Sequence, residues 1–349
     1  MNTNIDRINQ DSINFDTLKK YADIISHGGL VAFPTETVYG LGANCLDENA
    51  VRKIFDVKNR PANNPLIAHI TDVSMLKTIA RDVPEDIYPL FDAFWPGALT
   101  VVLKKTDAVP DIVTAGGDTV AVRCPSHPIA NALIKQSGVP IVAPSANLSG
   151  RPSPTCFMHV FSDLKGKVEG IIDGGNCDIG IESTVVLPTG DKNLTVLRPG
   201  AVTPEMMTRA GFNVTVDPNV LTPVEEGRSV LSPGMLYRHY APRAKMILVR
   251  GSDSAARAYI KEKTEKHLGK AGVLCFDGEG GMFDAFTIEY GTPSDPLTLS
   301  HNLFSSLRKF DETEVDLIFA RVMAPEGVGL GIYNRMLRAA SFNVVSVGE

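Results

Sequence analysis

The sequence has few of the features that mark several large classes of protein. The 349 residues include five cysteines, an odd number, and none of them forms a CxxC pair. This pattern argues against a disulfide framework and fits a reducing compartment. No apolar run approaches the 18 residues that a membrane helix needs, and the polar segment 1–16 lacks the pattern of a signal peptide. We therefore expect a cytoplasmic protein that has no contact with a membrane.

Several nucleotide and metal motifs are missing too. The sequence contains no GxxxxGK[ST], which excludes a P-loop ATPase. Its seven histidines are scattered, without HExxH or a Cys/His cluster, so we expect no zinc site and no other dedicated metal site. The segment from Gly327 to Gly331 (GVGLG) resembles a dinucleotide loop only weakly, because Asn334 stands where the last glycine belongs. We interpret that segment as a tight turn.

Length and charge restrict the remaining classes. A chain of 349 residues with 44% apolar residues is long enough for two domains, each with a core. The net charge of -6 argues against a protein that depends on wrapping nucleic acid, since such proteins are more often basic.

Hydrophobic periodicity predicts that residues 1–213 form an α/β domain with a mixed sheet. We predict a helix over 15–27, a second helix that Asp47 caps and that ends near Arg60, before a proline, and a helix that Thr203 caps. A further helix is expected over 127–136. Short apolar runs predict strands at 30–33, 99–103, 119–122, 139–143, 171–173, 183–187 and 194–197.

The rest of the chain divides into a linker and a second domain. Residues 214–245 are predicted to be a linker or lid, because periodicity is lost there and proline and glycine recur. Residues 246–349 are predicted to form a smaller, Rossmann-like α/β domain with a mostly parallel sheet. Its predicted strands are 246–250, 272–276 and 315–321, and its predicted helices are 253–267, 298–309 and 332–340.

Polar and charged residues cluster where predicted strands of the first domain end. The segment 33–42 (FPTETVYGLG) and the segment 143–147 (APSAN) each follow a buried strand, and strand ends are where α/β sheets hold ligands. Lys58 and Arg60 stand at a predicted helix end, where two adjacent cations suit phosphate or carboxylate. For Lys58 alone, a cation favoured by the helix dipole is the simpler explanation. Further hydroxyl and guanidinium groups lie at Thr119, Arg123, Ser183 and Arg198.

Together these segments resemble the threonylcarbamoyl-AMP synthase family, also called YrdC-like. The resemblance rests on GGLVAFPTETVYGLGANC, KNRPANNPLIAHI, FWPGALTVVLKK, DTVAVRCPSHPIA, VPIVAPSANLSGRPSPT, GIESTVV and LRPG. It spans about 15–210. The family signature, a lysine and an arginine one residue apart and a later serine and asparagine one residue apart, matches Lys58, Arg60, Ser145 and Asn147. The tail SPGMLYRHYAP resembles that of the longer, two-domain branch.

The resemblance implies a role for each matching residue. The catalytic pair would be Lys58 and Arg60. L-threonine would be held by Thr37, His69, Arg123, Ser183 and the backbone near Ala143. ATP would be held by Arg60, Asn64, Thr119, Ser145, Asn147, Ser153, Arg198, Arg238, His239 and Tyr240, the last three from a lid over residues 232–242.

The resemblance also implies an activity and partners. Threonine, bicarbonate or CO2, and ATP would give L-threonylcarbamoyladenylate and pyrophosphate, for modification of tRNA to N6-threonylcarbamoyladenosine. Mg2+ is expected to arrive with ATP. The expected partners are a downstream tRNA threonylcarbamoyl transferase and, weakly, tRNA itself.

Two other functions stay open from the sequence. A non-catalytic RNA-binding module would use a concave basic face, although the acidic net charge and the many hydroxyl groups argue against it. Alternatively, the second domain could be the functional one, as a nucleotide or effector sensor.

Overall fold

The structure is a computed structural model that describes residues 2–223, 239–267 and 269–348. Within these ranges the chain divides into two compact units. The first consists of residues 2–149 and 153–220, and the second of 150–152, 221–223, 239–267 and 269–348. Among the described residues, no helix combines the length and the apolar character needed to cross a membrane.

The first unit is built on one eleven-stranded mixed sheet. In space its strands follow the order β1-β8-β2-β3-β7-β4-β6-β5-β9-β10-β11. Along the chain they are β1 (Asn4–Arg7), β2 (Val31–Phe33), β3 (Gly40–Asn44), β4 (Ile67–His69), β5 (Leu99–Lys104), β6 (Thr119–Arg123), β7 (Ile141–Val142), β8 (Gly170–Asp173), β9 (Thr184–Gly190), β10 (Asn193–Arg198) and β11 (Asn213–Val216).

Helices pack on this sheet and form its hydrophobic cores together with the strands. Asp47 and Thr203 accept hydrogen bonds from first-turn amides, which confirms both predicted caps. The main core includes α2, α3 and α4, and a second cluster packs α1 and α6 against β2. The helices are α1 (Phe15–Ser26), α2 (Glu48–Lys58), α3 (Val73–Ile79), α4 (Tyr88–Phe94), α5 (Asp111–Thr114), α6 (Pro128–Ser137), α7 (Phe157–Leu164) and α8 (Pro204–Arg209).

The strand β3 was not expected from the sequence. Its glycines count against a strand, yet Gly40, Leu41 and Gly42 are buried in the sheet. A Cβ on Gly42 would lie 2.7 Å from the Phe33 ring and 2.9 Å from Ile141. The glycine is therefore needed for close packing within the sheet, a tertiary reason that local propensity does not reveal.

The strand β11 occupies the first residues of the predicted linker. It pairs in parallel with β10, although three of its four residues are exposed. An edge strand with so little burial carries a weak apolar pattern, which is why the sequence suggested a linker from residue 214.

The second unit confirms the predicted parallel α/β architecture. Its five strands follow the spatial order β14-β13-β15-β12-β16, and every pair is parallel. The strands are β12 (Lys245–Gly251), β13 (Ala271–Cys275), β14 (Phe286–Glu289), β15 (Leu317–Arg321) and β16 (Val344–Val347). The helices are α9 (Asp253–Glu265), α10 (Pro296–Phe310) and α11 (Val328–Ala339).

The GVGLG segment begins a helix instead of forming an isolated tight turn. Gly327 has φ of 52° and stands at the N-cap position of α11, and Gly329 and Gly331 lie inside that helix. A Cβ on Gly329 would lie 2.5 Å from the carbonyl oxygen of Ala324. The second glycine therefore allows the preceding loop to pack directly on the helix.

Candidate active site

One face of the first sheet carries the candidate site. Alternate residues of a strand share a face. Val101, Val122 and Val186 point into the main core on one face. The other face carries a separate apolar cluster of Ile67, Val102, Ala121, Val185 and Leu197. Four polar residues stand two positions from members of this cluster along their strands, so they lie on the same face. They are His69, Thr100, Arg123 and Ser183.

Strand direction brings several of these residues to one edge of the sheet. The strands β4, β6 and β10 run in the same direction, and His69, Arg123 and Arg198 are their last residues. The strand β9 runs the opposite way, so Ser183, just before its first residue, lies at this edge too. Three residues that were predicted to bind L-threonine and one that was predicted to bind ATP thus lie at the same edge.

A β-bulge directs Arg198 toward the others. The pairing of β10 with β9 changes register between Val196 and Arg198. Val196 packs in the main core, whereas the guanidinium of Arg198 reaches the hydroxyl of Ser183. A β-bulge changes the direction of the side chain that follows it. Without the bulge, the regular alternation of a strand would place Arg198 on the same face as Val196, toward the core.

Arg123 links the Thr35–Thr37 loop to the sheet. Its Nη1 donates to Thr37 Oγ1 at 2.8 Å, its Nε donates to the Gly97 carbonyl at 3.2 Å, and its Nη2 lies 2.7 Å from Glu36 Oε1. Arg123, Glu36 and Thr37 are all buried. A guanidinium has about five N–H donors, so this arrangement leaves donors for a ligand carboxylate.

Glu36 is a buried carboxylate held in its charged form. Burial alone would raise its pKa, but the charge and hydrogen bonding of Arg123, with the Ser126 amide, hold the pKa below its usual value. The Oε2 atom of Glu36 is also buried and has no hydrogen-bond partner among the described residues. This oxygen is available to accept a hydrogen bond from a ligand.

His69 lies beside Arg123 as its register partner in β4. Burial, and then the positive charge of Arg123, lower the pKa of His69 to about 3. The ring is therefore neutral near pH 7, with Nδ1 lying 3.2 Å from the Ile67 carbonyl. A neutral imidazole can exchange a hydrogen bond with a hydroxyl group, and it adds no charge to the site.

Ser183 is held between two strands. Its hydroxyl lies 2.7 Å from Thr100 Oγ1 and accepts a hydrogen bond of 3.1 Å from Arg198 Nη2. The Nε atom of Arg198 also donates to the Ser183 carbonyl at 3.0 Å. Neighbouring side chains from two strands thus hold the hydroxyl oxygen in place.

Lys58 is a buried cation and not a solvated residue at a helix end. It is the last residue of α2 and is 1% exposed, with Asn59 in the left-handed conformation after it. Its ammonium donates to the carbonyls of Ser145 and Asn147, the other pair of the signature. The Ser145 hydroxyl in turn donates to Asn147 Oδ1. The two halves of the signature are therefore in direct contact.

The loop after α2 contains Arg60 and Asn64. The Arg60 guanidinium donates to the carbonyls of Asn64 and Pro65, at 3.3 and 3.1 Å. Asn64 is 1% exposed, and neither polar atom of its side chain has a hydrogen-bond partner in the part of the chain that the structure describes. A buried amide without partners costs about 1–3 kcal/mol, so this side chain is suited to bind a polar ligand group.

The other predicted residues of the first unit are Thr119, Ala143 and Ser153. Thr119 begins β6, at the opposite end from Arg123, which is roughly 13 Å away at about 3.3 Å per residue. Ala143 is buried, and its amide donates to the Ile67 carbonyl. Ser153 is buried and donates to Glu182 Oε1 at 2.5 Å.

The tail residues that were predicted to bind ATP fall either outside the described residues or in the second unit. Arg238, with most of the predicted lid over 232–242, lies outside the described residues. Tyr240 belongs to the second unit, where its ring stacks on Phe304 at 5.2 Å and lies beside His239 and Arg335. The roles predicted for Arg238, His239 and Tyr240 stay predictions.

Three residues of the cluster were given no role from the sequence. Glu36 and Glu182 stood within quoted motifs, and Thr100 stood in a predicted strand. Thr100 shows the only usable signal, a hydroxyl in an otherwise aliphatic strand. Their partners, Arg123, Ser153 and Ser183, are between 29 and 87 residues away, so only the fold pairs them.

The described residues hold no group of three or more histidine, cysteine or acidic side chains placed to bind a metal ion.

Comparison with known proteins gives matches that together span most of the chain. A family model described as telomere recombination, covering Sua5, YciO and YrdC, matches residues 23–200, and the model of the threonylcarbamoyl-AMP synthase C-terminal domain matches 202–341. A threonylcarbamoyl-AMP synthase of Pyrococcus abyssi (strain GE5 / Orsay) is 45% identical over 333 residues, 93% of this chain and 94% of that one. One of Bacillus subtilis (strain 168) is 43% identical over 343 residues, 98% of each chain.

Solved structures give the same relationship. The crystal structure of P. abyssi Sua5 complexed with L-threonine matches with a TM-score of 0.92 and 42% identity, over 99% of this chain and all of that one. E. coli YciO matches with a TM-score of 0.51 and 27% identity, over 56% of this chain and 95% of that one. The chain therefore belongs to the threonylcarbamoyl-AMP synthase family and is an enzyme of its two-domain form.

Proposed function

We propose that this enzyme joins L-threonine, bicarbonate and ATP into L-threonylcarbamoyladenylate and releases pyrophosphate, for the threonylcarbamoyladenosine modification of tRNA. The observation that carries the proposal is the buried group of Thr37, His69, Arg123 and Ser183. It offers a cation, a neutral imidazole and two hydroxyl groups at one sheet edge. Such a set suits a small zwitterion that has a hydroxyl group.

The threonine part of the proposal follows from the charges. The remaining N–H groups of Arg123 would bind the substrate carboxylate, and the free oxygen of Glu36 would accept a hydrogen bond from the amine or the hydroxyl. Neutral His69 and the fixed Ser183 hydroxyl would distinguish the threonine hydroxyl from a methyl group, since a site built around hydrogen bonds rejects an analogue that cannot make them. The structure of the P. abyssi relative complexed with L-threonine supports threonine as the substrate.

The ATP part rests on the loop after α2 and on the second signature segment. Arg60 would contact phosphate oxygens, because a planar guanidinium can bind two oxygens at once. The buried amide of Asn64 would pair with a polar atom of the nucleotide. Further contacts are proposed from Thr119, Ser145, Asn147, Ser153 and Arg198, with Mg2+ carried on the phosphates.

The reaction then needs positioning and charge stabilisation more than a nucleophilic side chain. The threonine nitrogen attacks the bicarbonate carbon and water leaves, which gives N-carboxy-threonine. An oxygen of the new carboxylate attacks the α-phosphorus, the bond to the bridging oxygen breaks, and pyrophosphate leaves. Both partners are anions, so Lys58 and Arg60 would offset their repulsion. Correct placement of the reactants can supply roughly 7–11 kcal/mol of the barrier reduction.

Pyrophosphate release, measured while each substrate is omitted in turn, tests the proposal. We expect release only when ATP, L-threonine and bicarbonate are all present, with L-valine a far poorer substitute than L-serine. Thr37→Val should raise KM for threonine at least tenfold, whereas Thr195→Val, at a half-buried threonine of β10, should not. Equal release without threonine would identify a plain ATPase instead.

A further inference from the structure

A cavity in the second unit has no part in the function proposed above. Its volume is about 560 Å³. It is lined by the ends of two strands and by the loop that leads into α11: Arg250 and Gly251 of β12, Ser346 and Val347 of β16 with Gly348, and Val322, Met323, Ala324, Pro325 and Glu326, together with Tyr333 of α11. The cavity therefore lies at the carboxyl edge of a parallel sheet.

The order of the strands makes this edge a favourable place for a ligand. The neighbouring strands β12 and β15 send their connections in opposite directions, through α9 to β13 and through α11 to β16. Right-handed crossovers in opposite directions place α9 and α11 on opposite faces of the sheet. The loops that follow β12 and β15 therefore run to opposite faces of the sheet and leave a crevice between the two strand ends. Open α/β sheets bind ligands in the crevice at such a switch point.

The side of this edge that faces α9 is already filled. Val249 and Phe319 pack there with Ala256 and Ile260 of α9. Arg321, two residues beyond Phe319, shares that face. Its guanidinium is buried, pairs with Asp253 and Glu279, and lies over the Phe276 ring. This ion network occupies the α9 side of the edge, whereas the loop before α11 and Tyr333 of α11 line the cavity.

Alternation presents a free cation on the α11 side. Arg250 follows Val249, so its side chain points away from α9, and it is the register partner of Ser346 in β16. Arg250 is exposed and makes no ion pair among the described residues. The cavity wall thus combines a guanidinium with a hydroxyl group directly beside it.

The remaining walls indicate the chemistry of the ligand. Glu326 is a carboxylate that can accept hydrogen bonds from a sugar diol, as acidic residues do in dinucleotide crevices. Met323, Pro325 and the Tyr333 ring offer an apolar surface for a planar base. The helix α11 begins two residues after Glu326, so the positive end of its dipole lies at this end of the cavity.

Size decides between the ligands that this wall could hold. A single amino acid would pair its carboxylate with Arg250 and its ammonium with Glu326, but it would leave most of about 560 Å³ empty. Cavities of roughly 300–1,000 Å³ hold ligands the size of a drug or a nucleotide. We propose that this cavity binds a nucleoside monophosphate, with the phosphate on Arg250 and Ser346, the ribose on Glu326 and the base on Met323, Pro325 and Tyr333.

The loop that forms one wall is fixed before a ligand arrives. A Cβ on Gly329 would lie 2.5 Å from the Ala324 carbonyl and 2.7 Å from the Met323 side chain, so the loop packs directly on the first turns of α11. A site that needs no rearrangement loses little binding energy to ordering.

Hydrogen exchange of the full chain tests the proposal, because it reports where a ligand binds. AMP is expected to slow exchange in residues 322–333 and 346–348. Arg250→Ala should raise the AMP concentration needed for half-maximal protection at least tenfold. Arg243→Ala, at an exposed arginine outside the cavity, should leave that concentration unchanged. Adenosine, inorganic phosphate and L-threonine serve as separate arms, each expected to give weaker protection than AMP.

The outcomes separate this proposal from the function of the first unit. Protection of residues 322–333 by AMP that depends on Arg250, in enzyme that still releases pyrophosphate normally, would support the site. Protection confined to the first unit, or equal protection by phosphate or threonine alone, would overturn it. Failure of the pyrophosphate assay would count against the proposed activity alone, because protection by AMP is measured without that reaction.

Discussion

At the scale of single residues, the first unit depends on the buried pair of Glu36 and Arg123. Burying two charges is costly unless each is paired and hydrogen-bonded. Here Arg123 also binds Thr37 and the Gly97 carbonyl, and Glu36 also accepts from the Ser126 amide. Removing one partner of such a pair leaves an uncompensated buried charge, at a cost of about 3–5 kcal/mol.

We predict that the free energy of unfolding of Glu36→Gln falls less on acidification than that of the unchanged protein. The pKa of Glu36 is lowered in the folded protein, so its contribution is present above the ordinary value of 4.5 and is lost as the pH falls through the folded value. The variant should therefore be less stable near pH 7, with a smaller further decrease below pH 4.5. Urea unfolding at a series of pH values measures this.

The matched control for this prediction is Glu48→Gln. Glu48 is exposed and pairs with Arg52 on the surface of α2, so its removal should change the free energy of unfolding by less than about 1 kcal/mol. If the two variants show the same dependence on pH, the Glu36 ion pair does not stabilise the site.

Residue types at the site could be predicted from the sequence, but their partners could not. The signature residues Lys58 and Ser145 were identified from their motifs, and the structure places them in contact. The simpler explanation for Lys58, a cation favoured by the helix dipole, agrees with its place in the last turn of α2 but did not predict its burial. Burial depends on a segment 87 residues away, and no local pattern encodes that.

At the scale of elements, the end of α2 positions the signature. The helix ends at Lys58, Asn59 turns the chain in the left-handed conformation, and the Ser149 amide donates to the Lys58 carbonyl. The lysine ammonium binds two carbonyls of the same segment. One residue therefore anchors the segment after β7 to the helix with both its backbone and its side chain.

We predict that Lys58→Met destabilises the protein as well as impairing any reaction. Methionine keeps much of the volume but leaves two carbonyls without their donor. Each hydrogen bond to a charged group is worth about 1.5–3 kcal/mol, so the free energy of unfolding should fall by at least that amount. Chemical denaturation beside the activity assay measures both effects.

Lys19→Ala serves as the comparison, since Lys19 forms an exposed pair with Asp23 one turn along α1. Such pairs are worth about 0.3–0.5 kcal/mol. Unchanged stability in Lys58→Met, together with lost activity, would show that the buried lysine acts on substrates alone and does not anchor the segment.

At the scale of the whole molecule, the core clusters formed by the described residues of one unit contain no residue of the other. The first packs β4, β5, β6 and β9 with several helices, and the second packs β12, β13 and β15 against α9. In the second unit the ion network of Arg321, Asp253 and Glu279 joins strand ends to the start of α9. Its loss should therefore be felt first within that unit.

We predict that Arg321→Met speeds hydrogen exchange in the second unit and spares the first. Buried Glu279 would keep Arg257, at 3.2 Å, as its remaining cation, together with the hydrogen bond from the Phe276 amide. Amides of β12, β13 and β15 should exchange at least tenfold faster, while those of β5 and β6 keep their protection. Arg243→Ala, which removes an exposed guanidinium that lies 3.9 Å from Asp311, should change neither set. Equal acceleration in both units would show that they unfold as one body.

The sequence by itself determined the family, the α/β class of both units, the capped ends of α2 and α8, and the residue types of the candidate site. These follow from local periodicity, from capping residues and from contiguous motifs, all of which act over a few positions. Only the tertiary structure decided that β3 is a strand, that a bulge turns Arg198 toward Ser183, and that Glu36 pairs with Arg123. Each of these depends on close contact between segments distant in the chain, where packing and burial outweigh local preference.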